Sequence, residues 1–215
     1  MSGISQVPYS SLVSQFQTGD IILFDGPSFE SVVIEFVDKS PFSHVGIIVV
    51  DSSLSSKPLF WQSAGIKTMN DPLINGMRSG AQLLDLESVL AYVMKQPNSF
   101  GVNYSFCYRP LNYTRPSDFA SQFDTYMRSV DGRAFPPTME VMGYNYIIGQ
   151  FKKAADRATY FCSQLASETY MEMGLIDSSP WPPNSYSPGN FSTENEKLPF
   201  TTGVSLGTEI PFSYP

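Results

Sequence analysis

Ser43-His44-Val45-Gly46-Ile47-Ile48-Val49-Val50 is the stretch that decides the fold class. It is rich in β-branched residues and apolar at both phases of its alternation, so it reads as a strand buried on both faces. Two further short strands flank it. Ile21-Ile22-Leu23-Phe24 opens after Gly19-Asp20 and closes at Asp25-Gly26-Pro27, and Leu59-Phe60-Trp61-Gln62-Ser63-Ala64 stops at Gly65. Phe29 to Val37 is apolar and fits a helix or a strand, and Lys39-Ser40-Pro41 breaks it.

Working outward, Thr68 to Gly80 reads as a loop, and Leu83 to Val93 as a strand end followed by a short helix. Residues 101–109 alternate, with Val102, Tyr104, Phe106 and Tyr108 opposite Asn103, Ser105, Cys107 and Arg109, which predicts a half-buried strand. Ser117 caps a helix whose apolar face is Phe119, Phe123, Tyr126, Met127 and Val130, with Gly132 as its stop. Residues 145–157 and Thr159 to Met173 read as two more helices. Strands cluster early and helices late, the pattern of an α+β fold. The expected organisation is one domain over 1–176, with a Pro- and Ser-rich extension, 177–215, wrapped irregularly on it.

The chain of 215 residues is long enough for a full core, and 42% of it is apolar. A net charge of -7 without a basic stripe argues against nucleic acid as a partner. No window is apolar for long enough to span a bilayer, and the first residues carry no signal-peptide pattern. Ser2 follows Met1 where myristoylation needs glycine, so the expected location is cytoplasmic. Two cysteines and one histidine fall short of a structural zinc set, and no metal or cofactor is expected.

Those counts narrow the chemistry. Cys162, in Tyr160-Phe161-Cys162-Ser163-Gln164-Leu165, lies at the predicted start of a helix, with Thr159 as cap. The positive end of the helix favours a thiolate there, and the first-turn N–H groups, that of Cys162 included, can hold an oxyanion. The competing reading is a buried thiol that packs as a small hydrophobe. His44 supplies any imidazole chemistry the chain has, and its position at a strand start suits a cleft as well as a core edge. Gln62 is a polar residue in an apolar strand and can fix the tautomer of a neighbouring imidazole, or face solvent. Cys107, in mid-strand, has no helix to activate it and reads as structural. Glu168 and Glu172, at helical spacing, read as a solvated face. No GxSxG elbow, Walker A loop or GxGxxG turn is present.

In combination, Thr18-Gly19-Asp20-Ile21-Ile22-Leu23-Phe24, Phe42-Ser43-His44-Val45-Gly46-Ile47, Phe60-Trp61-Gln62-Ser63-Ala64 and Tyr160-Phe161-Cys162-Ser163-Gln164-Leu165 follow one another in an order that resembles the circularly permuted branch of the NlpC/P60 superfamily of papain-like hydrolases, its YiiX/YebB-like and poxvirus-type members. Asp131-Gly132-Arg133-Ala134-Phe135 and Tyr186-Ser187-Pro188 are weaker echoes. The resemblance implies a permuted papain-like catalytic domain over 1–176, an antiparallel sheet or small barrel packed on helices. It also implies a cysteine hydrolase that cleaves an amide bond through a thioester, with Cys162 as nucleophile, His44 as base and Gln62 orienting His44. The family pattern carries Glu where this chain has Gln62 and Gln164. Gln62 stabilises an imidazolium less than a carboxylate does. The expected substrate is peptide-like or acyl-containing. The alternatives are an acyltransferase or lipid acyl-ester hydrolase of the same fold, and a catalytically weak binding module.

Overall fold

The computed structural model describes residues 5–26, 40–95 and 104–215. The strands are β1 (Val7–Pro8), β2 (Ile21–Asp25), β3 (Phe42–Val49), β4 (Leu59–Ala64), β5 (Gly80–Asp85), β6 (Ser105–Arg109), β7 (Leu111–Asn112), β8 (Ser205–Leu206) and β9 (Ile210–Ser213). The helices are α1 (Leu86–Met94), α2 (Phe119–Val130), α3 (Met139–Gln150) and α4 (Cys162–Glu172). Seven strands form one sheet in the order β1-β9-β6-β2-β3-β4-β5, and β7 pairs with β8 apart from it. All neighbours in the large sheet are antiparallel except β1 and β9. This is a mixed, mostly antiparallel sheet with helices, compatible with the expected α+β class. The reading at 29–37 falls outside the described residues.

Both faces of the sheet are covered, which explains the unbroken apolar runs. Side chains alternate along a strand, so Ile21 and Leu23 serve one face, Ile22 and Phe24 the other. The first face, with Val45, Ile47, Trp61 and Leu83, packs on α2 and α4. The second, with Ile48, Phe60, Leu84 and Phe106, packs on α1 and the 3₁₀ turns around Tyr9 to Phe16. Gly46 is required at its place on the second face, because a Cβ there would run into the Phe60 ring. β6 is therefore buried on both faces, not half-buried as its alternation suggested. Cys107 and Arg109 are as enclosed as Phe106.

The Arg109 guanidinium is accommodated in that setting because its donors are taken up. Nε donates to the Gly207 carbonyl at 2.7 Å, Nη1 to the Phe191 carbonyl at 2.7 Å, and Nη2 lies 2.9 Å from a Glu196 carboxylate oxygen. These bonds fasten the last forty or so residues to the sheet. That segment is less irregular than expected: β9 is inserted between β1 and β6, and β8 pairs with β7. Two to four residues per strand are too few for a readable period in a Pro-rich segment.

Two helix boundaries also differ from expectation. α3 begins at Met139, six residues ahead of the expected 145, since Thr138 Oγ1 accepts from Val141 N and caps it. α4 begins at Cys162, with Phe161 in the capping position and no side-chain cap bond; Thr159 is not the cap.

Candidate functional site

α4 is set across the first sheet face by three long-range bonds. Trp61 Nε1 donates to Thr169 Oγ1 at 3.2 Å, Ser63 Oγ to the Tyr160 carbonyl at 2.6 Å, and Tyr170 Oη to the Gly19 carbonyl at 2.6 Å. The Asp131-Gly132-Arg133 turn braces its approach. Gly132 N donates to the Ala81 carbonyl, Ala81 N to the Arg133 carbonyl and Tyr160 N to the Ala134 carbonyl. Gly132 has φ +77°, a left-handed conformation that suits glycine. Cys162 thus occupies the first helical position, buried among the apolar side chains of the first face. The two cysteines form no disulfide. Burial pushes the Cys107 thiol up to about 12, which keeps it protonated and inert.

His44 and Gln62 are brought together. His44 Nε2 lies 2.7 Å from Gln62 Oε1. A carbonyl oxygen only accepts, so Nε2 carries the proton and Nδ1 presents the lone pair. The ring meets Phe24 edge-on, centroid to centroid 5.2 Å, and lies tilted against Phe60 at 6.3 Å. Burial lowers the imidazole to about 4, against the raising effect of the Gln62 bond. At neutral pH the ring is an uncharged base.

These ring contacts place His44 on the second face, whereas Cys162 packs with the first. No single layer holds the three residues. At this end of the sheet the β2–β3 register slips between Phe24 and Asp25, so that Phe24 faces His44 and Asp25 faces Phe42. A bulge of this kind re-aims side chains and occurs often beside functional sites.

A residue that pattern reading missed is Gln82. It pairs directly with Gln62 across β4 and β5 and is equally buried. Its Nε2 donates to the Ala64 carbonyl at 3.2 Å, while its Oε1 and Gln62 Nε2 are both buried without a hydrogen-bond partner. The signal was available as a polar residue in Ala81-Gln82-Leu83-Leu84, matching Gln62 in the next strand. Glu168 corrects the opposite error. It is not on a solvated face but buried at 2% exposure, accepting from Tyr160 Oη at 2.7 Å and paired with Arg157 at 3.3 Å; only Glu172 is on the surface.

A cleft of about 450 Å³ opens between α3 and the segment from Trp181 to Lys197. Tyr146, Gln150, Trp181, Tyr186, Asn190 and Lys197 line it. Two contacts tie it to the neighbours of Cys162, which is not itself in the wall. Tyr146 packs on Phe161, the preceding residue, and Ser163 Oγ, on the following one, donates to the Tyr186 carbonyl at 2.8 Å.

No family model matches the sequence, and no curated protein is significantly similar to it. The fold is similar to that of the metalloprotein yiiX from Escherichia coli O157:H7, with a TM-score of 0.50 and 15% sequence identity over 94% of this chain and 99% of that one. At that identity the likeness is one of fold. Among the described residues, no group of three or more His, Cys, Asp or Glu side chains is placed to hold a metal ion. No helix among them is long and apolar enough to cross a membrane.

Proposed function

We infer that the chain is a cysteine hydrolase of the permuted papain-like, NlpC/P60 type, acting on an amide or ester carbonyl. The observation that carries this reading is the 2.7 Å bond from His44 to Gln62. It fixes one tautomer and reserves Nδ1 for proton transfer. The placement of Cys162 at the start of α4 supports the same reading; the likeness to yiiX bears on the fold.

The mechanism requires the Cys162 thiol, packed on the first face, to reach His44 Nδ1 on the second, past the register slip between Phe24 and Asp25. Cys162 Sγ attacks the carbonyl carbon as its proton passes to His44 Nδ1. First-turn N–H groups of α4 stabilise the oxyanion. The C–N or C–O bond breaks, and His44 returns the proton to the leaving group. Water, deprotonated by His44, then hydrolyses the thioester and restores the thiol. Because His44 is neutral before attack, it works as a general base for a thiol rather than as half of a standing ion pair.

The test is alkylation of Cys162 by iodoacetamide as a function of pH, with buried Cys107 as the internal control. The expected result is a reactive thiol whose rate falls about tenfold or more in His44→Ala, the range typical of a lost general base. An unreactive thiol, or a rate indifferent to His44, overturns the reading. Mass spectrometry after incubation with peptide amides and with phospholipids then identifies the acyl donor by the thioester it leaves. A second reading, a binding module with weak chemistry, is favoured by one observation: the partner of His44 is a neutral amide, and burial holds the ring well below its usual range.

A further inference from the structure

His44 ends a row of three side chains whose polarity can be followed from one fixed point. That point is the Ala64 backbone carbonyl, which only accepts. Gln82 Nε2 donates to it at 3.2 Å, so the Gln82 amide is pinned with Oε1 at its free end. Gln82 stands directly opposite Gln62 in the β4–β5 ladder, and side chains paired in this way share a face with Cβ atoms about 5 Å apart. Both residues are 1% exposed, so bulk water does not compete for either amide. Gln62 Nε2 and Gln82 Oε1 are the two ends without a partner, one a donor and the other an acceptor.

Turning the Gln62 amide over would set its oxygen against Gln82 Oε1, two acceptors with no proton between them. It would also aim the NH2 group at His44. Only a ring lone pair can meet a donor, so the proton of the neutral ring would move from Nε2 to Nδ1. The observed orientation avoids both, since Gln62 Oε1 takes the Nε2 proton at 2.7 Å. The same bond serves the imidazolium, because Nε2 keeps its proton when Nδ1 gains one. The backbone is held on both sides of Gln82. Ala81 N donates to the Arg133 carbonyl at 2.9 Å, and Leu83 N to Asp71 Oδ2 at 3.0 Å, Asp71 itself being fully buried. A side chain on so rigid a base can orient its neighbour.

We propose that Gln82 is a positioning residue, which acts through Gln62 to keep the His44 proton on Nε2 and the lone pair on Nδ1. The orientation stands on the row alone. That the lone pair receives a thiol proton rests on the hydrolase reading. Because its oxygen makes no bond, Gln82 adds little to stability; it decides which tautomer is present, not whether the chain folds.

The experiment is a two-bond ¹H–¹⁵N correlation spectrum of the labelled full chain, which reads the protonated nitrogen of its one histidine. It is recorded on the acid side of neutral, where His44 is still uncharged. Nε2–H is expected in the wild-type chain. Gln82→Met keeps the length and removes the amide. The ratio of Nε2–H to Nδ1–H should then fall about fivefold, the bias that one neutral hydrogen bond supplies, with thermal unfolding little changed. Gln82→Glu is the rescue. Burial keeps the new carboxyl protonated, so its O–H donates to the Ala64 carbonyl, its C=O faces Gln62, and the wild-type ratio returns. A ratio that Gln82→Met leaves unmoved overturns the proposal, whatever Cys162 does. So does a Gln82→Glu chain that behaves like Gln82→Met, or a wild-type ring with its proton on Nδ1. A ratio that shifts while Cys162 alkylation is indifferent to His44→Ala supports the positioning and overturns the hydrolase reading.

Discussion

Two buried polar groups of this sheet invite comparison, Asp20 and the His44–Gln62–Gln82 row. Asp20 is fully provided for. Its Oδ1 accepts from Leu111 N at 2.9 Å and Arg115 Nη2 at 3.0 Å, its Oδ2 from Gln17 N at 2.9 Å and Tyr108 Oη at 2.7 Å. The row, which runs across β3, β4 and β5, makes one strong bond and leaves two complementary amide atoms, Gln62 Nε2 and Gln82 Oε1, unpaired. A satisfied cluster holds the fold; a half-satisfied one costs stability and persists where something else uses it. The motif Gly19-Asp20 therefore reads as architecture, while the row behind His44 is left half-satisfied.

The comparison breaks first at Asp20. Asp20→Ala strands Arg115 and the Tyr108 hydroxyl, and the expected loss is about 3–5 kcal/mol in urea unfolding. A loss under about 1 kcal/mol would mean that Asp20 is no clamp. The next effect is one of pH. Because His44 titrates near 4 when folded and near its usual 6.5 when unfolded, the unfolded chain takes up the proton first. Stability is complete above about 6.5 and declines as pH falls toward 4, by up to about 3 kcal/mol and less as water reaches the ring. His44→Gln should flatten this part of the pH–stability curve relative to wild type. A parallel curve in the variant removes His44 as the cause.

Smaller effects sharpen the row itself. The chain has one histidine, so its ring resonances are unambiguous in an NMR titration. Gln62→Glu should raise the His44 pKa by about one unit or more, and Gln62→Leu should lower it, since the bond to Gln62 favours the protonated ring. An unmoved pKa in both would show that the two side chains do not meet. Least of all is Gln82→Leu, which removes one orphaned atom and fills its place with an apolar group. Its expected effect is within about 1 kcal/mol, on the stabilising side. A loss of 2 kcal/mol would show that the two glutamines bond to each other.

Much of the fold was legible because its signals are local. The β2, β3 and β4 runs are continuous and bounded by Gly and Pro, so they fall almost where the pattern put them. α3 was misplaced although Pro136-Pro137-Thr138 announces its start, because its apolar residues lie on two sides and give no clean period. Glu168 was misread because its partners, Tyr160 and Arg157, come from the loop before the helix, and spacing within α4 says nothing of them. Cys162, His44 and Gln62 stand out by residue type alone. That His44 and Gln62 touch follows from neighbouring strands. Which face each side chain occupies depends on the slip between Phe24 and Asp25, and one residue of register inverts it. The cleft was not legible at all, since its walls come from segments about forty residues apart.

The insertion of β9 between β1 and β6 has a consequence for synthesis. While the chain is still emerging from the ribosome, β6 has only β2 beside it, and β1 has no partner, although it was made first. The sheet closes only once residue 213 is released, so the nascent domain spends its longest interval with an unpaired, apolar strand edge open to neighbouring chains.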